Sequence, residues 1–248
     1  MSKLKPNIDT SLYKIDSEHL SLSKRMRDVK PVPLEQIIKE FDAFENIDMN
    51  SAKHQTVLLE LFPSYLLEEC DSADWKLFES MSRFDRRNNT FVTGCFDNQL
   101  LELKSLSYKW RFKDGIKWKT RAGTSPNGTL FIRIFTDNET VYVVEGHRDS
   151  LTSVLLGLDF IMIPYAGFKL KDTESLMQEI TGRKVVFIIE DKPAFKCMVE
   201  IAKAIEPVAK DIVMLQLQEG DKMDLSDYVF TKNSIKEVLN GLKDKESH

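Results

Sequence analysis

Cysteine is scarce in this chain: its 248 residues include only three. Cys70, Cys95 and Cys197 lie far apart and form no Cys-x-x-Cys pair, which argues against a zinc ribbon and against a disulfide framework. We expect them to be reduced thiols that pack as small apolar side chains. This cysteine usage is typical of a cytosolic protein.

Long hydrophobic runs and an excess of basic charge are missing as well. No apolar run approaches the ~20 residues that a membrane span needs, and the first residues lack the hydrophobic region of a signal peptide. The formal net charge is -4, so any nucleic-acid-binding surface must be local. No Gly-x-x-x-x-Gly-Lys-[Ser/Thr] loop occurs, which excludes a P-loop helicase within this chain. These absences predict a cytoplasmic protein without a membrane partner.

The first 85 residues predict a polar arm followed by helices. Apolar side chains recur at helical spacing over residues 34–44, 51–69 and 73–84, and Pro63 should kink or break the second of these helices. These stripes are typical of a packed core and indicate no cofactor. His54 has polar neighbours, and we expect it at the surface.

A basic, β-rich subdomain is predicted over residues 86–136. Residues 90–96 and 100–104 have the pattern of a hairpin, and residues 108–113 form a strand in which aromatic and basic side chains alternate. Strict alternation places the cations on one face of that strand. Two interpretations remain open: an amphipathic hairpin with solvated cations, or a surface that contacts nucleic acid phosphates. The candidate contacts are Lys109, Arg111, Lys113, Lys117, Lys119 and Arg121.

The strand at residues 140–145 ends at a carboxylate. Val141 to Val144 form an apolar run, Glu145 follows, and Gly146 leads directly into a helix that contains Asp149. This pattern predicts a buried parallel strand. Ligands of open α/β sheets bind at the carboxyl ends of such strands. Glu145 is therefore predicted to lie at a binding edge.

The same pattern recurs twice downstream. The apolar run at residues 184–189 ends at Glu190 and Asp191, and the run at 212–215 leads to a loop that holds Asp221, Asp224 and Asp227. Helical segments alternate with these strands, which is typical of a parallel sheet covered by helices. The predicted fold class is α/β: a parallel sheet flanked by helices over residues 137–248, preceded by the helical segment and the β-rich subdomain.

These carboxylate motifs resemble those of the Toprim domain found in bacterial and phage DNA primases. The resemblance covers roughly residues 120–245. It rests on Glu-Gly-x-x-Asp-Ser-Leu at 145–151, the strand that ends at Glu190, and Lys-Met-Asp-Leu-Ser-Asp-Tyr at 222–228, which is similar to a Lys-Asp-x-x-Asp loop of phage primases. The fold that it implies is a Toprim-like sheet, and the activity is nucleotidyl transfer that makes short primers.

The resemblance also implies a site that binds Mg²⁺ or Mn²⁺, since crowded carboxylates need a neutralising cation. The implied catalytic residues are Glu145, Asp149 and Glu190. The implied metal ligands are Glu145, Glu190, Asp191, Asp224 and Asp227. Arg148 is a candidate contact for a phosphate or nucleotide. His147 is interpreted as an ordinary loop histidine, and Tyr228 either stacks on a base or packs in the core.

The middle motif departs from the primase pattern. Where primases carry Asp-x-Asp-x-Ala-Gly, alignment on Ala194 puts Glu190, Lys192 and Phe195. An ammonium at the second acid position can displace a cation. In the alternative without a metal, Asp149 caps a helix, Lys192 neutralises Glu190 and the acidic loop is merely solvated.

Two classes of function follow, and a third is weaker. The first is a primase-like enzyme whose partners are single-stranded DNA, nucleoside triphosphates and a helicase on a separate polypeptide. The second is a Toprim-like module with a degenerate site that holds single-stranded nucleic acid or a replication partner. A nuclease of the same superfamily is the third. Compact replication proteins of this kind are typical of phages and mobile elements.

Overall fold

The computed structural model describes residues 31–246 apart from short gaps at 97–102, 113–114, 123, 125–130, 135–137, 165–167, 169–173, 190–191 and 219–222. The described chain begins with four helices: α1 (Leu34–Asp42), α2 (Ala52–Leu59), α3 (Ser64–Glu69) and α4 (Ser72–Met81). Pro63 separates α2 from α3, so the predicted break is confirmed. The side chain of Asp71 accepts a hydrogen bond from the backbone N–H of Ala73 and caps α4.

An antiparallel sheet follows these helices. Its strands are β1 (Ser82–Asp85), β2 (Thr90–Phe96), β3 (Leu103–Phe112) and β4 (Gly115–Thr120), and they pair in chain order. The helix predicted for residues 73–84 is too long, because the chain leaves α4 after Met81 and pairs with β2 as β1. Residues 103–104 and 108–112, which were predicted to belong to two strands, lie in the single strand β3. Pairing with both neighbours keeps β3 extended through its serine-rich middle.

A second sheet has the strand order β5-β7-β6-β8-β9. These strands are β5 (Phe131–Arg133), β6 (Thr140–Glu145), β7 (Phe160–Ile163), β8 (Lys184–Ile188) and β9 (Asp211–Leu215). The last four are parallel, as predicted. Strand β5 is antiparallel and pairs with β7.

Helices cover both faces of this second sheet. They are α5 (Gly146–Leu155), α6 (Glu174–Ile180), α7 (Lys192–Ile205), α8 (Leu225–Val229) and α9 (Ile235–Glu246). Val143 and Phe187 face a core that contains α6 and α7, whereas Val144 and Val186 face a core shared with α5, α8 and α9. Burial on both faces accounts for the uninterrupted apolar runs of these strands.

The core that contains α5, α8 and α9 also joins the two sheets. It runs from Val144 through the helical residues Leu58 and Phe78 to Phe91 on β2. On its opposite face the first sheet is covered by α1, where Ile37 and Phe41 pack against Leu106. The predicted α/β class with a preceding helical segment and a β-rich part is confirmed.

The structure also tests the predictions made for the cysteines and for His54. All three cysteines are free thiols, as predicted, and two of them are buried. His54 is buried rather than at the surface: its Nδ1 accepts a hydrogen bond from the backbone N–H of Asp48 at 3.0 Å, and its ring packs on Phe84. Within the described residues, no helix combines the length and the apolar character needed to span a membrane.

Candidate catalytic edge and basic hairpin

Strand β6 lies where the strand order of the second sheet reverses. Strand β7, which follows β6 in the chain, lies on one side of β6, and β8, which the chain reaches by crossing over from β7, lies on the other side. Glu145 is the last residue of β6 and precedes α5 directly. Gly146 has a φ of 81°, a conformation that L side chains rarely adopt, and this turn starts the helix at once. Glu145 therefore lies at the carboxyl edge where ligands of such sheets bind.

Asp149 is buried and connects α5 to α8. Its carboxylate accepts hydrogen bonds from the backbone N–H groups of Leu225 at 3.2 Å and Ser226 at 2.9 Å, and from the Ser226 hydroxyl. These donors and the positive end of the α8 dipole compensate the buried charge. Asp149 thus holds the start of α8, whose N-cap residue is Asp224. Contact between Asp149 and a cation stays a prediction.

Asp224 lies beside Asp149 at the start of α8. Its side chain accepts a hydrogen bond from the backbone N–H of Asp227 at 2.5 Å. Burial, and next the negative charge of Asp149, raise the pKa of the Asp224 carboxyl to about 7. The acidic loop is therefore not simply solvated, because its Asp224 lies close to the carboxylate of Asp149 in a partly buried position.

Arg148 is engaged by neighbours on three sides. Its guanidinium forms an ion pair with Asp227 at 2.9 Å, and its Nε donates to the backbone carbonyl of Leu61 at 3.2 Å. It also lies 5.5 Å from the centre of the exposed Phe230 ring. Arg148 thus lies next to the Asp227 carboxylate, and its contact with a phosphate or nucleotide remains a prediction.

The chemistry of these donors suits a hard divalent cation, since carboxylate oxygens are the ligands that Mg²⁺ prefers. Among the described residues, however, no group of three or more His, Cys, Asp or Glu side chains is arranged to hold a metal ion. Glu190 and Asp191 lie outside the described residues, and so does the side chain of Lys192. The metal site with five ligands stays a prediction. Of these five residues, the structure describes Glu145, Asp224 and Asp227.

His147 joins helix α5 to strand β3, a role that was not predicted from the sequence. It lies in the first turn of α5, is buried, and its Nε2 is 2.7 Å from the hydroxyl of Ser107 on β3. Burial lowers the pKa of the imidazole to about 4, so the ring is neutral at neutral pH. A signal was available: His147 precedes Leu151 and Val154 by four and seven residues and shares their buried helical face.

The basic hairpin, β3 and β4 with Arg121, holds two of its cations in ion pairs. Lys109 is only 6% exposed, and its ammonium pairs with Glu60 of the segment that follows α2. The expectation that Lys109 faces solvent is wrong, because helices cover both faces of this sheet. Arg121 binds Glu40 of α1 through two hydrogen bonds of 2.6 and 2.7 Å. These pairs attach the hairpin to the helical segment.

The structure describes only some of the other cations of the hairpin. Lys119 is exposed on β4. Lys113 and the side chains of Arg111 and Lys117 lie outside the described residues. A cleft of about 380 Å³ opens beside Lys109, and its lining includes Thr56, Val57, Glu60, Asn88, Asn89 and Thr90. Contact of this region with nucleic acid remains a prediction.

Comparison with known proteins identifies the fold. No protein-family model matches the sequence, and no curated protein matches it. The fold is that of DNA primase catalytic domains: a DNA primase domain from Pseudomonas aeruginosa superposes with a TM-score of 0.53 at 11% identity, over 86% of this chain and 78% of that chain.

Two other solved structures are more distant. The Escherichia coli primase catalytic core has a TM-score of 0.44 at 10% identity, over 92% of this chain and 72% of that chain. A DnaG primase catalytic domain bound to single-stranded DNA has a TM-score of 0.45 at 10% identity, over 88% of this chain and 65% of that chain. At these identities the likeness concerns the fold alone.

Proposed function

We propose that this chain is a primase-like Toprim protein that joins nucleotides on a single-stranded DNA template with the help of Mg²⁺ or Mn²⁺. The observation that carries the proposal is the position of Glu145. It ends the strand at the switch point of a primase-type fold. The hydrogen bonds of Asp149 bring the Asp224 segment toward the same edge.

The carboxylates have distinct roles in this proposal. Glu145, Asp224 and Asp227 would hold the cation together with Glu190 and Asp191. When bound, the cation would neutralise the charge that develops on the transferred phosphoryl group. Asp149 fixes the start of α8 and so orients Asp224. Arg148 supplies a guanidinium at the same edge for a nucleotide phosphate.

The basic hairpin is the proposed template surface. Lys119 is exposed there, and Arg111, Lys113 and Lys117 belong to the same two strands or their connection. Contacts from such a surface go to phosphates and carry no sequence information. Lys109 and Arg121 support this surface by holding Glu60 and Glu40 against it. Single-stranded DNA, nucleoside triphosphates and a separate helicase are the partners that this function implies.

Primer synthesis on a single-stranded template tests the proposal. The purified chain should incorporate labelled ribo- or deoxyribonucleotides with Mg²⁺ or Mn²⁺, and Glu145→Gln should lower the rate by at least about a hundredfold. Glu139→Gln, the same change at an exposed residue next to the opposite end of β6, is the matched control and should keep full activity. Activity that persists in Glu145→Gln would show that the catalytic site lies elsewhere.

A binding module with a degenerate site is the second candidate. Two observations favour it: the lysine at position 192 in place of the second acid of the motif, and the engagement of Asp149 by backbone donors. In that case the protein binds single-stranded DNA without synthesis, and Mn²⁺ raises its melting temperature little. Lys192→Asp should then lower the melting temperature without metal and increase the Mn²⁺-induced shift. Degradation of end-labelled DNA in the same assay would instead indicate a nuclease.

A further inference from the structure

A buried polar contact connects the two sheets close to the candidate site. The hydroxyl of Ser107, in the middle of β3, lies 2.7 Å from Nε2 of His147, and both side chains are buried. The two residues are 40 positions apart in the chain. A hydrogen bond between groups that are removed from water has a defined geometry and is costly to leave unmade. It therefore fixes the relative position of β3 and α5.

Toward the candidate site, a short and rigid stretch of backbone joins His147 to Glu145. Only Gly146 separates the two residues, and its backbone turn begins α5. The backbone carbonyl of His147 also accepts a hydrogen bond from the Ser150 hydroxyl at 2.8 Å within the first turn. A displacement of the His147 ring therefore displaces the start of α5, and with it the end of β6 that carries Glu145.

On the other side, the His147 ring lies under the basic hairpin. Trp118 of β4 has its ring centre 6.0 Å from that of His147. Trp118 pairs in register with Lys109 and precedes the exposed Lys119 directly. The proposed template surface and the Glu145 edge are thus connected through Ser107, Trp118 and His147.

We propose that His147 is a positioning residue that couples template binding on the hairpin to cation binding at Glu145. This inference rests on the proposed function. A template strand on β4 restrains the hairpin, the Ser107–His147 hydrogen bond transmits that restraint to the first turn of α5, and the Glu145 carboxylate is held in place for the cation. His147 does not touch substrate in this role.

Coupling distinguishes this role from simple packing. If His147 only fills the core, its loss lowers the stability of the protein but leaves the mutual effect of the two ligands unchanged. If it transmits position, single-stranded DNA tightens Mn²⁺ binding in the parent, and Mn²⁺ tightens DNA binding by the same factor, because linkage is reciprocal. That factor should fall toward one when the hydrogen bond is removed.

Ser107→Ala is the main test, because it removes one hydroxyl and leaves the imidazole in place. Its matched control is Ser105→Ala on the same strand, since the buried Ser105 hydroxyl has no hydrogen-bond partner in the described part of the chain. Mn²⁺ affinity would be measured by calorimetry with and without an oligodeoxythymidine. We expect a DNA-dependent gain of about three- to tenfold in the parent and in Ser105→Ala, the range that one buried hydrogen bond supports. The gain should disappear in Ser107→Ala.

Replacing the histidine completes the experiment. His147→Gln keeps a nitrogen at a similar distance and should restore part of the coupling, whereas His147→Leu should abolish it. A folded Ser107→Ala that retains the parental coupling overturns the inference and leaves the proposed function intact, as does a parent that binds both ligands without coupling. A parent that binds neither Mn²⁺ nor DNA overturns the proposed function and the inference with it.

Discussion

The two sheets bury different kinds of side chain. In the parallel sheet, the interior positions of β6 and β8 are apolar from Val141 to Val144 and from Val185 to Ile188, except for the hydroxyl of Tyr142, which donates a hydrogen bond to Glu246. In the antiparallel sheet, β3 places Ser105, Ser107 and Lys109 in the interior of the molecule. One sheet is a hydrophobic scaffold, and the other contributes polar contacts to its neighbours.

This difference explains where each sheet can carry chemistry. A scaffold with an apolar interior leaves its carboxylates at one edge, where the chain turns into helices. A buried polar group is costly without a partner, and β3 pairs Lys109 with Glu60 and Ser107 with His147, although the Ser105 hydroxyl has no hydrogen-bond partner among the described residues. Its buried polar residues therefore hold other elements in place, and Lys119 lies exposed on the neighbouring strand β4.

The largest effect should come from the apolar interior of the parallel sheet. Phe187 of β8 is fully buried between its sheet and the adjoining helices, so Phe187→Ala removes an aromatic ring and leaves a cavity. We expect a loss of about 3–5 kcal/mol in the free energy of unfolding, measured by urea denaturation. Phe230→Ala, at an exposed phenylalanine, is the control and should cost less than about 1 kcal/mol. Equal costs would refute the description of this sheet as the scaffold.

The next effect concerns the histidine between the sheets. The pKa of His147 is lowered to about 4 in the folded protein, whereas the ordinary pKa of a histidine side chain is 6.5. The unfolded chain therefore binds more protons between these values, and stability should fall as the pH drops from 6.5 to 4, by roughly 3 kcal/mol. Urea denaturation of the metal-free protein across this range measures it.

His147→Gln carries no titrating ring and serves as the control for this pH dependence. Its stability should change less over the same interval, after the contribution of the carboxylates common to both proteins is subtracted. A parent and a variant with parallel profiles would mean that the imidazole accepts a proton in the folded protein as easily as in the unfolded chain.

A smaller effect is expected from the buried cation of β3. Lys109→Met removes the ammonium and leaves Glu60 without this partner, and Glu60 is partly exposed, so water can solvate its charge. The free energy of unfolding should fall by about 1–2 kcal/mol. Lys210→Met is the control, because Lys210 and Glu139 form an exposed pair at the surface of the parallel sheet, and it should leave the denaturation midpoint unchanged.

The smallest effect should have opposite signs at two serines of β3. The Ser105 hydroxyl is buried and lacks a hydrogen-bond partner among the residues described, so Ser105→Ala should leave stability unchanged or raise it by up to about 1 kcal/mol. Ser107→Ala should lower stability by about 1 kcal/mol, because it leaves His147 without this hydrogen bond. Thermal unfolding at pH 7.5 compares the two, and a stabilising Ser107→Ala would contradict the assignment of its partner.

Periodicity alone was sufficient for the α/β class and for most elements of the parallel sheet. The apolar runs of β6, β8 and β9 and the helical spacing of α7 are local features, and burial on both faces requires the runs of β6 and β8. The antiparallel sheet was harder to predict. Strand β1 follows a helical pattern and is extended only because it pairs with β2, a tertiary preference that overrides the local one.

The sequence by itself determined that Glu145 ends a buried strand at the carboxyl edge of the sheet, because a strand and the turn after it are encoded within a few neighbouring residues. Only the tertiary structure decided that Lys109 is paired and that His147 joins two sheets. The same holds for Asp149, which accepts hydrogen bonds from the start of a helix that begins 76 residues further along the chain. A buried polar side chain is stable only with a partner, and periodicity shows which face of an element is apolar without showing which distant residue lies opposite.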